Sequence, residues 1–355
     1  MPQPTPTPTA TPDPDPAAPV LVTGGTGYIG GHTVAELLRR GRRVRTTVRS
    51  AERGRALTAT LARALGPDAV TPDRLEHAVA DLTSDAGWET ALTGVHEVLH
   101  VASPLGLSAP ADPGELVAAA RDGALRVLRA AHAAGAARVV LTSAANAASP
   151  SSYATDGVTD ETLWTDPEDP TLIPYRRSKT VAERAAWEFA AAHPDGPALT
   201  TVLPGAVFGP LLDDRTAGSV GIIARMLDGR MPGVPRIGLE IVDVRDLVDL
   251  HLRALAAPEA AGERFLGTGE FLWMSEMAHT LRDGLGEAGR AVNTTELDDD
   301  LVRDAARVDP AMAEIAPALG RRNRHSTAKA QRLLGWHPRP ARETVLACAH
   351  SLLTP

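Results

Sequence analysis

Cysteine is nearly missing from this chain: Cys348 is the single thiol in 355 residues. One thiol excludes an internal disulfide and fits a reducing compartment, so a cytoplasmic location is expected. No uninterrupted apolar run is long enough to span a bilayer, which argues against a membrane partner. The N-terminus also lacks the basic and apolar regions of a signal peptide, so none is expected. There is no excess of positive charge. Lys and Arg total 36 against 44 Asp and Glu, a net charge of -8, which argues against nucleic acid as a partner.

What is present is the composition of a soluble globular protein with a sizeable core, 43% hydrophobic and 23% charged. Residues 1–18 stand apart. Proline at nearly every second position blocks helix and sheet hydrogen bonding, and a disordered, polyproline-like tail is expected.

The organising stretch follows that tail. Pro19 to Val22 reads as a buried strand, glycines stand at 24, 27 and 30, and from Ile29 the apolar spacing is helical through Val34, Leu37 and Leu38. In a strand–turn–helix context, such glycines permit a tight turn, close approach to a pyrophosphate and packing of helix on strand. The helix then aims its free N–H groups at the phosphates.

A second strand, Arg43 to Val48, ends at Arg49, nineteen residues after Gly30. A NAD-preferring site would carry an acid there. Arg49 stands there instead, with Arg53 one helical turn on, and two guanidiniums can clamp a 2′-phosphate. NADP is therefore expected in preference to NAD. A third strand, Leu75 to Ala80, ends in Asp81-Leu82. Asp81 either accepts from an adenine amino group or caps the following helix, or does both.

A fourth strand, Val95 to Val101, exits through Ala102-Ser103-Pro104, whose small residues let a cofactor lie against the backbone. His96 and His100 lie on one face of it, and no metal site is read from them, because no third ligand is near. A long helix over 113–134 precedes a fifth strand, Ala137 to Ala144, with hydroxyls at its end. The stretch 145–174 reads as a long irregular loop of the kind that carries function.

That loop leads into a helix bearing Tyr175 and Lys179, four apart and hence on one face. The lysine ammonium is expected to lower the phenol pKa, so that Tyr175 gives a proton to a carbonyl oxygen as hydride reaches the carbon. Further on, helices are expected near 219–227, 273–285, 326–335 and 342–352, with a strand at 262–267.

Taken together, TGGTGYIG at 23–30, VRS at 48–50, DL at 81–82, HVASP at 100–104, VVLTSA at 139–144, YRRSKTVAE at 175–183, LPGAVFGP at 203–210, VDVRDLVDLH at 242–251 and LLGWHP at 333–338 resemble an extended short-chain dehydrogenase/reductase. The branch it looks like holds dihydroflavonol, cinnamoyl-CoA and aldehyde/ketone reductases.

The resemblance implies a Rossmann-type, doubly wound parallel α/β sheet over 19–204. It implies a smaller mixed α/β substrate lobe over 205–355, with 236–257 returning to the first domain. It places Thr23, Gly24, Gly27, Tyr28, Ile29 and Gly30 at the pyrophosphate and Arg49 and Arg53 at the 2′-phosphate. Asp81 and Leu82 meet the adenine, and Val101, Ala102 and Ser103 the middle of the cofactor. Pro204, Gly205, Ala206 and Val207 pass the nicotinamide, with Lys179 also on its ribose. Leu105, Tyr153, Val207 and Phe208 are candidate substrate-lining residues, and their apolar character suits an aldehyde or ketone with an apolar body; Tyr153 and Phe208 equally read as plain core residues. The segment Val242–Asp246 is expected to position the C-terminal lobe.

One departure from the branch concerns the catalytic hydroxyl. The serine usually found there falls on Ala144 in an ungapped match, and adjacent strand residues face opposite ways. Ser143 is the substitute expected here, with Thr142 as fallback. The expected activity is NADPH-dependent reduction of an aldehyde or ketone, reversible to alcohol oxidation, possibly by a homodimer. The alternatives are an NDP-sugar epimerase or dehydratase of the same fold, for which Arg321, Arg322 and Arg324 could serve, and a non-catalytic NADP-sensing regulator.

Overall fold

The computed structural model describes residues 18–104, 113–150, 157–214, 216 and 218–354. The Pro/Thr-rich stretch therefore lies almost wholly outside the described residues, as do Leu105 and Tyr153.

The first half of the chain alternates strand and helix: β1 (Val20–Thr23), α1 (Tyr28–Arg39), β2 (Val44–Val48), α2 (Ala51–Leu65), β3 (Leu75–Val79), α3 (Trp88–Leu92), β4 (Glu97–His100), α4 (Pro113–Ala133), β5 (Arg138–Thr142), β6 (Gly157–Thr159), α5 (Pro174–Ala192) and β7 (Ala198–Pro204). The second half is mixed: β8 (Ala206–Phe208), α6 (Val220–Leu227), β9 (Gly238–Asp243), α7 (Val244–Ala256), β10 (Arg264–Gly267), β11 (Glu270–Trp273), α8 (Met274–Gly284), α9 (Asp299–Ala305), α10 (Pro310–Ile315), β12 (Asn323–His325), α11 (Ala328–Leu334) and α12 (Ala341–Leu353).

Among the described residues, seven strands form the main sheet in the order β10-β7-β5-β4-β1-β2-β3. Every pairing in it is parallel. Both of its faces are covered, as an all-parallel sheet requires. On one side Val34, Leu37 and Leu38 of α1, Leu57 and Leu61 of α2, and Leu247, Val248 and Leu250 of α7 pack into one apolar cluster. On the other, Trp88 and Leu92 of α3, Val127, Leu128 and Ala131 of α4, and Ala186 of α5 form a second. The order reverses between β1 and β4, so a crevice opens beyond their carboxyl ends, where doubly wound sheets bind ligands.

A three-stranded sheet, β11-β9-β8, carries the C-terminal lobe. Phe208, Ile223, Met226, Met277, Leu281 and Val345 fill the core between it and α6, α8 and α12.

The structure redraws the expected division of the second half. Within 236–257 only α7 returns to the main sheet, while β9 stays in the smaller one. The strand expected at 262–267 becomes β10 and closes the main sheet beside β7, in register with Thr201–Pro204. Local alternation reports that a strand exists; it does not say which sheet edge receives it. The 145–174 stretch is also more ordered than expected. It holds a 3-10 turn at Ala145–Ala148, and β6 pairs in parallel with β12 near the other end of the chain.

Candidate active site

The glycine turn is shaped by contacts that leave no room for side chains. Gly24 has φ +73, and a Cβ there would stand 2.9 Å from the Cα of Ala102. A Cβ on Gly30 would stand 2.2 Å from the Gly24 carbonyl oxygen. The turn closes with Gly27 N donating to Gly24 O at 2.9 Å. Gly27 is the N-cap of α1 and brings no side-chain cap, so the helix opens with N–H groups available to an anion. Thr23 lies beneath and ties β1 to β4: its hydroxyl meets His100 Nδ1 at 2.7 Å and accepts from Ala102 N at 3.0 Å.

Tyr28 and Ile29 begin α1. The Tyr28 ring stands edge-on to His32, with centroids 5.4 Å apart, and its hydroxyl is buried with no hydrogen-bond partner among the described residues. Burial first, then Cys348 and Asp243, push its pKa up.

Arg49 and Arg53 are both exposed around the start of α2, where Ser50 caps the helix by accepting from Arg53 N at 3.3 Å. Asp81 ends up close enough to Arg49 to feel its charge. Its Oδ1 accepts from Thr83 Oγ1 at 2.7 Å and Thr83 N at 2.8 Å, which hold the carboxyl below its usual range. Asp81 thus folds over its own turn; α3 is preceded by Gly87, not by a capping acid. Leu82 lies against α4, where a Cβ on Gly123 would be 3.2 Å from it.

The fourth strand is shorter than expected. His96 precedes it and is exposed, whereas His100 is its last residue and is buried. Desolvation, then the Lys179 charge, push His100 down to about 3, so its ring is neutral. Val101, Ala102 and Ser103 follow beyond the strand, half-buried.

α5 starts at Pro174 in its first turn, which fixes where Tyr175 and Lys179 leave the loop. Lys179 Nζ reaches across to Ser103 Oγ, 3.4 Å away. Both line one cavity together with His100, Ala102, Thr142, Ser143 and Glu183. The expectation for Tyr175 reverses: burial pushes its phenol up to about 12, with no lowering by Lys179. The lysine is itself pushed down to about 8, chiefly by burial and against the pull of Glu183. The ammonium is turned toward Ser103 and the cavity, and desolvation prevails at both groups.

The hydroxyls after β5 are already engaged. Ser143 donates to Glu183 Oε2 at 2.6 Å. Thr142 meets His251 Nε2 at 2.8 Å, and the other ring nitrogen of His251 faces the Leu247 carbonyl at 2.8 Å. A carbonyl oxygen accepts only, so Nδ1 carries the proton and Thr142 donates to Nε2. In this arrangement both hydroxyl protons are engaged, while Thr142 and Ser143 line the cavity with Lys179. Ala144 is buried beside them and has none to give.

Glu183 is a group that sequence reasoning passed over. It also accepts from Thr201 Oγ1 at 2.8 Å and pairs with Arg264 Nε at 2.9 Å, with both side chains buried. Arg264 stacks 3.6 Å over the Trp164 ring and donates to the carbonyls of Glu161 and Leu163. The one available signal was the Lys179, Glu183, Trp187 spacing of four along α5.

Pro204 ends β7, and Gly205 follows with its Cβ position 2.4 Å from the Glu240 carbonyl oxygen. Val207 is half-buried in β8 opposite Val242. Phe208 is fully buried in the lobe core, as β8 alternation dictates. The 242–246 segment positions the lobe. Asp243 caps α7 by accepting from Arg245 N at 2.9 Å, and Asp246 holds Arg339 at 2.7 and 2.9 Å.

Residues 20–266 match the NAD dependent epimerase/dehydratase family. The chain is 37% identical over 267 residues to cinnamoyl-CoA reductase 1 of Oryza sativa subsp. japonica, covering 74% of this chain and 75% of that one. It is 34% identical over 281 residues to aldehyde reductase 2 of Sporidiobolus salmonicolor, covering 73% and 79%. Its fold is similar to that of the yeast methylglyoxal/isovaleraldehyde reductase Gre2 complexed with NADPH, with a TM-score of 0.77 at 24% identity over 94% of this chain and 98% of that one. With its glycine turn, parallel sheet and Tyr175–Lys179 helix in place, the chain belongs to the NAD dependent epimerase/dehydratase family, the extended short-chain dehydrogenase/reductases.

Proposed function

We propose that this chain is an NADPH-dependent reductase of aldehydes or ketones, working reversibly on the corresponding alcohols. The observation that carries the reading is the reach of Lys179 to Ser103, which brings the helix of Tyr175 to the crevice where the glycine turn ends. The names of the relatives, a cinnamoyl-CoA reductase and an aldehyde reductase, support it.

The residues fit the dinucleotide. The side-chain-free cradle at Gly24 and Gly30 takes the pyrophosphate on the open end of α1, and Arg49 and Arg53 take the 2′-phosphate. When bound, NADPH supplies the hydride. Tyr175 holds the proton for the carbonyl oxygen, and its high pKa keeps it protonated until that oxygen gains charge. Lys179, turned to Ser103 and the cavity, would hold the nicotinamide ribose and bring a positive charge to the crevice. Ser143 braces Glu183, which keeps Lys179 cationic.

The test is consumption of NADPH and NADH with a panel of aliphatic and aromatic aldehydes, ketones and β-keto esters, with Tyr175→Phe beside the wild type. Turnover favouring NADPH and lost in the variant supports the reading. Conversion of a nucleotide sugar, or tight NADPH binding with no turnover, assigns the chain to the epimerase or the sensor alternative.

A further inference from the structure

Ser149, His325 and Glu240 come from three distant parts of the chain and meet in one hydrogen-bonded row. His325 Nε2 lies 2.9 Å from Ser149 Oγ, and its Nδ1 bonds Glu240 Oε2. His325 N donates to Glu240 Oε1 at 2.7 Å. All three side chains are buried or nearly so. The row has the order of a hydrolytic triad, but Ser149 Oγ also lies 2.9 Å from the Ala145 carbonyl of its own turn. The imidazole bridges the carboxylate and the hydroxyl, a clamp between distant parts of the chain.

What the clamp holds bears on catalysis. Ser149 ends the 3-10 turn that follows Ala144. Thr165 Oγ1 lies 2.6 Å from the Asn146 carbonyl and 2.5 Å from the Ser149 carbonyl, which share its one proton, and accepts from Ser149 N at 3.2 Å. Arg176, the neighbour of Tyr175, donates to Pro150 O at 2.8 Å and lies 3.5 Å from Ser149 O. On the other side, the Glu240 carbonyl lies against Gly205. One imidazole thus ties the C-terminal lobe to the exit of β5, to the loop bearing Thr165 and to the first turn of α5.

We infer that His325, held by Glu240 and Ser149, is a positioning residue that sets the substrate side of the site against Tyr175 without taking part in cofactor binding. The inference rests on the proposed reductase reading for its kinetic consequence, not for its structural one. The ring's hydrogen-bond partners are Glu240 from β9 and Ser149 from the turn.

The experiment uses the full chain and the variants His325→Gln and Ser149→Ala. Amide hydrogen exchange is followed over 145–149 and 157–166. NADPH affinity and kinetics with an aldehyde that the wild type reduces are measured alongside. The inference expects exchange in these segments to quicken about tenfold in both variants, with β1 and β4 unchanged. The aldehyde KM rises or kcat falls, together by up to about 10²-fold, while NADPH affinity holds. Wild-type exchange in both variants, or equal loss of protection across β1 and β4, overturns it. Absence of carbonyl turnover in the wild type would remove the reductase reading and leave the exchange result to decide the clamp.

Discussion

Ser143 donates its proton to Glu183 across 2.6 Å inside the cavity that also holds Lys179. The hydroxyl expected to grip a substrate carbonyl instead completes a buried carboxylate. Ser143→Ala should then act on stability first. Removing a hydrogen bond to a charged group costs about 1.5–3 kcal/mol, read as a lower thermal midpoint. Conversely, Ala144→Ser adds the missing donor and should raise kcat, by up to about 10²-fold if the new hydroxyl reaches the carbonyl oxygen. Thermal melts and NADPH consumption on both variants separate the two roles.

Lys179 sets the pH range. Its ammonium is a positive charge in the cavity where the carbonyl oxygen gains negative charge, and burial brings it down to about 8. Tyr175, pushed up to about 12, stays protonated well beyond that. The reductive kcat/KM, which reports the free enzyme, should therefore be level below about pH 8 and fall as pH rises through it. A profile level to far higher pH would mean that the Lys179 charge is not needed.

Arg49 and Arg53 should decide between the two dinucleotides. Charge-assisted bonds to a phosphate are worth about 1.5–3 kcal/mol each. Arg49→Ala should weaken NADPH binding by at least about tenfold and leave NADH binding little changed, with Arg53→Ala acting in the same direction. Titration of each variant with both cofactors checks this.

Arg264 should be the costliest of these positions. Its guanidinium neutralises Glu183, and both groups are out of water. Arg264→Ala leaves a buried carboxylate unpaired, at a cost of about 3–5 kcal/mol. A denaturant midpoint close to wild type would show that Glu183 takes up a proton at little cost.

The parts legible in sequence are those set by short-range periods. The β1–turn–α1 unit, the Tyr175–Lys179 pair and the opposed facing of Thr142 and Ser143 all follow from local geometry. What the two hydroxyls meet does not. His251 is 109 positions from Thr142, and Glu183 is 40 from Ser143. The same holds for β10, whose place beside β7 is set by packing, and for His325, 176 positions from Ser149. The pKa of Tyr175 departs from its expected direction for a related reason: spacing gives a neighbour, whereas desolvation depends on the whole enclosure.

The most direct test of the account is the fate of the hydride. NADPH carrying deuterium at the transferred position is incubated with the carbonyl compound of the panel that the wild type reduces fastest, and the alcohol is analysed by mass spectrometry. The account predicts one deuterium on the carbinol carbon, with product formation collapsing in Tyr175→Phe. Alcohol without deuterium, or an undiminished yield from Tyr175→Phe, would contradict it.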